Sequence, residues 1–74
     1  HLIAIPHMHV PYIDMMTEEG ALLLGKIMSK ISHMQEELGI TEGYRLIINQ
    51  GENAGQTVGH VHIHILGGEK LDEI

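Results

Sequence analysis

The chain has 74 residues with 7 histidines, no cysteine and a formal net charge of -6. That length allows one small domain, residues 1–74, and such a domain buries only about 60% of the surface its unfolded chain exposes, so association is the expected source of further stability. Without cysteine there is no disulfide framework and no thiolate metal site, and the acidic balance argues against a nucleic-acid partner while allowing a small phosphorylated ligand.

No apolar run approaches the roughly 18 to 20 residues of a membrane span, and no signal peptide is visible. A cytoplasmic protein with no membrane partner is expected. The chain opens at His1 rather than at Met and reads as a fragment whose natural beginning has been removed.

His1-Leu2-Ile3-Ala4-Ile5 predicts a strand, ended by Pro6, which cannot donate to a ladder. Pro11 breaks the following turn. Thr17 is a candidate N-cap, and Glu18 and Glu19 suit the positive end of a helix. Leu24, Ile27, Met28, Ile31, Met34 and Leu38 then recur at helical spacing up to Gly39, which predicts one helix of about six turns. Its methionine-rich stripe is read as a core or subunit-contact face, because Met commonly fills gaps. Tyr44 to Asn49 predicts a second strand, rich in branched residues. A loop from Gln50 to Gly59 leads into the most informative segment.

His60-Val61-His62-Ile63-His64-Ile65-Leu66 alternates imidazole with aliphatic side chains. In a strand, successive side chains point to opposite faces, so the three histidines share one face and Val61, Ile63 and Ile65 pack on the other. Asn49, Gln56 and Thr57 stand beside glycines in the preceding loop, where exposed N–H groups suit a phosphate or oxyanion. Gly, Asn and Gln also make ordinary turns, so the loop gains force from its position before the histidines.

Three chemistries fit three imidazoles: metal binding, general base catalysis, and nucleophilic attack with flanking stabilisation of the developing charge. The first and third histidines of a strand lie about 13 Å apart, so one ion could take only an adjacent pair. A further ligand would have to come from His1, His7, His9, Glu52 or another carboxylate. This arithmetic disfavours metal, and no metal or other cofactor is expected.

The His60 to Leu66 run resembles the signature of the histidine triad (HIT) superfamily, His-φ-His-φ-His-φ-φ with φ hydrophobic. Gly55-Gln56-Thr57-Val58-Gly59, Gly67-Gly68, Gly43-Tyr44-Arg45 and His1-Leu2-Ile3-Ala4-Ile5-Pro6 extend the likeness over nearly the whole chain, toward the Hint branch of purine nucleoside phosphoramidases. The resemblance implies that His62 is the nucleophile at the α-phosphorus of a nucleoside 5′-phosphoramidate, forming a nucleotidyl-histidine that water hydrolyses. It implies that His64 contacts phosphate or leaving group, that His60 positions the nucleophile and its tautomer, and that His1 joins the same network. Asn49, Gly55, Gln56 and Thr57 match the family's phosphate and leaving-group contacts, with Thr57 where serine is frequent. A purine nucleotide such as AMP or adenosine phosphoramidate is the implied ligand, and a homodimer is the implied assembly.

His9 stands where the family also tends to carry a histidine; a place beside the triad and a purely structural imidazole both fit. His7 and His33 are read as surface or turn residues. Family members carry a segment before the opening strand that holds base and ribose, so this chain is expected to supply the phosphate half of the site and not the nucleoside pocket. The expected fold is α+β: an antiparallel sheet from strands near residues 1–6, 43–50 and 58–66, with one long helix on a face. A non-catalytic nucleotide-binding module and a metal-binding histidine protein are the alternatives.

Overall fold

The structure, a computed structural model, describes residues 1–73. Three strands, β1 (Leu2–Ala4), β2 (Tyr44–Ile47) and β3 (Ile63–Gly67), form an antiparallel sheet in the order β1-β3-β2. The last strand in sequence is therefore the central one. The fold is α+β, with one main helix, α1 (Glu18–His33), connecting β1 toward β2.

Helix α1 begins where its sequence says it should. Thr17 has extended backbone, and its Oγ1 accepts a hydrogen bond from the Gly20 N–H at 3.1 Å, satisfying one of the orphan donors of the first turn. Glu18 and Glu19 lie at the positive end, Lys30 and His33 at the negative end. Leu24, Ile27 and Ile31 face the sheet. Leu24 joins Val10, Val61 and Ile63 in one buried cluster, while Ile31 joins Ile40 and Ile65 in a second; Ala4, Ile27 and Leu46 touch both.

The predicted six-turn helix is interrupted. It leaves α geometry at Met34 (φ -111°, ψ 18°) and resumes as the short α2 (Gln35–Leu38). Side chains compete with the helix ladder at that point: the Ser32 hydroxyl and the His33 Nδ1–H both donate to the Ser29 carbonyl, each at 2.7 Å. Helix α2 ends at Gly39, whose φ of 72° lets its own N–H reach the Glu36 carbonyl and the Ile40 N–H reach that of Gln35.

The strands are shorter than the hydrophobic runs that predict them. The ladder between β1 and β3 covers Leu2 to Ala4, and that between β2 and β3 ends at the Ile47–His64 pair. Beyond Ala4 the chain turns away through Pro6, which has no N–H to give. The histidine segment thus enters the sheet only at Ile63; His60 and His62 precede the strand that was expected to hold all three. The alternation survives this change, because Val61, Ile63 and Ile65 are buried while His60, His62 and His64 are half-exposed.

Ile3, His64 and Ile47 are direct cross-strand neighbours and so share the face opposite α1. Ile3 on that face is largely exposed, and His64 is half-exposed beside it. Among the described residues no helix is long and apolar enough to cross a membrane.

Candidate active site

Five histidines, His1, His9, His60, His62 and His64, are joined by the fold into one connected group. His64, in the central strand, has its Nδ1 atom 2.8 Å from Nε2 of His1, the residue just before β1. The His62 and His64 rings lie 4.9 Å apart, edge to face at 69°. His62 Nδ1 is 2.9 Å from the His60 carbonyl oxygen, and His60 Nε2 is 3.1 Å from the Pro6 carbonyl oxygen.

These contacts assign protons. A carbonyl oxygen only accepts, so His62 carries a hydrogen on Nδ1 and His60 carries one on Nε2. A neutral imidazole has a single N–H. In neutral His62 the Nε2 atom therefore presents a bare lone pair, the form a nitrogen nucleophile requires. His60 and His62 obtain this arrangement because they lie outside the ladder: the His60 N–H bonds back to Val58 at 2.8 Å in a tight turn, and the His60 carbonyl is left for the His62 ring.

The loop before the histidines is closed on itself. Gly51 (φ 83°) and Gly55 (φ 81°) supply the left-handed positions that bend it, and the N–H groups of Ala54, Gly55 and Gln56 all bond to carbonyls within it. The Gln56 side chain accepts from Gly51 N–H at 2.8 Å and donates to the carbonyls of Pro11 at 2.9 Å and Val58 at 3.2 Å. Its amide thus braces the loop against the segment after β1. Gln50 makes a matching tie, accepting from Ile13 N–H at 2.6 Å. The sequence marks Gln50 only as the start of a loop; its bracing role depends on a partner 37 residues away.

Thr57 is exposed at the end of this brace, and among the described residues the N–H groups of Thr57, Val58 and Gly59 make no hydrogen bond. Asn49 and His62 each lie two residues beyond the end of the β2–β3 ladder. No hydrogen bond connects Asn49 or Thr57 to the histidines among the described residues. His33, read as a surface residue, closes the end of α1; His7 is exposed on the turn after β1.

No group of three or more His, Cys, Asp or Glu side chains among the described residues converges as an ion-binding set. A cleft lined by Thr41, Glu42, Arg45, Glu69 and Lys70 opens at the far end of β3 from the histidines, and the histidine group itself lies on the open sheet face rather than in that cleft.

Comparison with known proteins places the chain in a family and a fold. Residues 1–71 match the family model described as the HIT domain. An uncharacterized HIT-like protein of Synechocystis sp. is 43% identical over 68 residues, which is 92% of this chain and 60% of that protein. A histidine triad protein from Clostridium difficile superposes with a TM-score of 0.87 at 30% identity, covering 97% of this chain and 64% of its own. A HIT family hydrolase from Clostridium thermocellum gives 0.84 at 41% identity, with the same coverage of 97% and 64%. The chain thus spans about three-fifths of the length of the curated relatives it matches, 60% and 62% for two of them.

Proposed function

The chain belongs to the HIT domain family, and from that premise we propose that it carries the catalytic half of a nucleotide hydrolase that works through a covalent nucleotidyl-histidine. The substrate class is a nucleoside 5′-phosphoramidate or a related purine nucleotide, cleaved at the α-phosphorus. The observation that carries the reading is the His62 proton arrangement: Nδ1–H is engaged by the His60 carbonyl at 2.9 Å, and Nε2 is bare.

In the first step the His62 Nε2 lone pair forms a bond to the α-phosphorus as the bond from phosphorus to the leaving nitrogen breaks. The leaving amine takes a proton from the His1–His64 pair, which stands beside the His62 ring; the pair must enter this step with one ring as imidazolium and leaves it neutral. Attack makes the His62 ring cationic, and the His60 carbonyl dipole, already aimed at its Nδ1–H, stabilises that charge without reorganising. Water then attacks the same phosphorus, gives its proton to the pair, and releases the nucleoside monophosphate and free His62.

The phosphate oxygens fit the loop side of the site. Thr57 offers its hydroxyl and, with Val58 and Gly59, its N–H groups. Asn49 offers a carboxamide at the end of β2. Gly55 and Gln56 form the braced turn that presents Thr57. Reaction and release need no metal in this scheme, and the assembly is proposed to be a homodimer.

The test is intact mass spectrometry after brief exposure to adenosine 5′-phosphoramidate. A mass increment of one adenylyl group, mapped to His62, supports the scheme. Nucleotide binding with no adduct and no turnover would leave a binding module in its place.

A further inference from the structure

We propose that His9 is a positioning residue of this site: together with the Pro6 carbonyl it holds the ring and the proton arrangement of His60 and, through His60, the orientation of His62. The consequence for turnover rests on the reading of His62 as nucleophile.

The His9 and His60 Nδ1 atoms lie 3.2 Å apart, with ring centroids 5.2 Å apart and planes inclined at 53°. Two imidazole nitrogens at that distance require one donor and one acceptor. The Pro6 carbonyl decides which is which. It draws the His60 proton to Nε2, so in neutral His60 the Nδ1 atom is the acceptor and His9 must donate from its own Nδ1.

The His60 ring is thereby gripped at both nitrogens by one short segment, Pro6 to His9. The same segment is anchored to the backbone beyond His60, because the Val61 N–H donates to the Val10 carbonyl at 2.6 Å. His60 lies before the ladder of β3, so no regular strand pairing aims its peptide group. Its carbonyl nevertheless has one task, receiving the His62 Nδ1–H. The ring clamp supplies what the missing ladder does not.

A purely structural imidazole fits less well. His9 is exposed and contributes nothing to either buried cluster, and among the described residues His60 is the one hydrogen-bond partner of its side chain.

The experiment compares the protein with His9→Asn, His9→Asp and His9→Ala by ¹⁵N NMR of the histidine rings and by steady-state kinetics with adenosine 5′-phosphoramidate. Asn places a donating amide nitrogen close to where His9 Nδ1 lies; Asp offers only acceptors. The original protein and His9→Asn should show the hydrogen on Nε2 of His60 and on Nδ1 of His62. In His9→Asp an acceptor facing Nδ1 competes with the Pro6 carbonyl, so His60 should populate the Nδ1–H form; in His9→Ala the Pro6 carbonyl holds the ring from one side only, and both rings should become tautomeric mixtures. Turnover in His9→Ala should fall about tenfold or more in kcat with KM little changed, and His9→Asn should restore most of it. Identical His60 and His62 tautomers in all four proteins would overturn the proposal, even if none of them turns over. An adduct on another histidine would instead remove the nucleophile assignment and leave the tautomer result standing.

Discussion

His1 and His64 are 63 positions apart in the chain, yet their Nε2 and Nδ1 atoms meet at 2.8 Å where the end of β1 lies against β3. One nitrogen donates and the other accepts, so the two rings act as a unit. In the proposed scheme they handle the proton of the leaving group together. Their effects on turnover should not add: His64→Ala should lower kcat by about a hundredfold or more, and His1→Ala added to it should cost little further. Fully additive losses in the double-mutant cycle would show that the two rings act independently.

His62→Ala removes the bare Nε2 nitrogen and should reduce kcat by about a thousandfold or more while the protein stays folded. His62 is half-exposed and belongs to neither buried cluster, so circular dichroism should be unchanged. Substantial activity in this variant, or an adduct mapped to His60 or His64, would move the nucleophile elsewhere.

Exhaustive chelation tests the metal alternative. A site built on a free imidazole lone pair has no use for an ion, since coordination would occupy the nitrogen that must attack. Turnover should be the same before and after dialysis against chelator. Loss of activity that zinc then restores would favour metal chemistry.

Gly67→Ala should destabilise the fold without touching the site. A Cβ on Gly67 would lie 2.8 Å from Cγ2 of Ile40, a buried residue, and 3.2 Å from the Gly43 carbonyl oxygen. The cost should be about 1–3 kcal/mol, read as a lower urea midpoint. An unchanged midpoint would mean that the α2–β2 connection yields easily.

Association should be visible by light scattering at micromolar concentration. Leu22 is 65% exposed and Met28 47% exposed on α1, and apolar area of that kind is released from water when copies pair. A mass above that of one chain is expected, reduced by Leu22→Glu. A monomer across the whole concentration range would end this reading.

Much of this was legible in the residues because it depends on local rules. Thr17 caps α1 because a side-chain oxygen three residues before an amide reaches it in any helix, and Gly39 ends α2 because only a residue at ease with positive φ closes that turn. The alternation of His60, His62 and His64 with Val61, Ile63 and Ile65 places the imidazoles on the half-exposed side whether or not the backbone is paired. The break at Met34 was less visible. Helical periodicity runs through it, and the competing bonds from Ser32 and His33 to one carbonyl are invisible to a hydrophobic pattern.

The sequence by itself determined the α+β class, the placing of three alternate histidines on one side of their segment and the family resemblance, since these follow from side-chain type, spacing and short-range backbone preference. Tertiary structure alone decided which nitrogen of His60 carries its hydrogen, where the ladder stops and which residues brace the loop. Those features depend on partners far apart in the chain: the Pro6 carbonyl at His60, His1 at His64, Pro11 at Gln56 and Ile13 at Gln50. A tautomer is set by what faces each ring nitrogen, and only the folded chain brings those groups within hydrogen-bond reach.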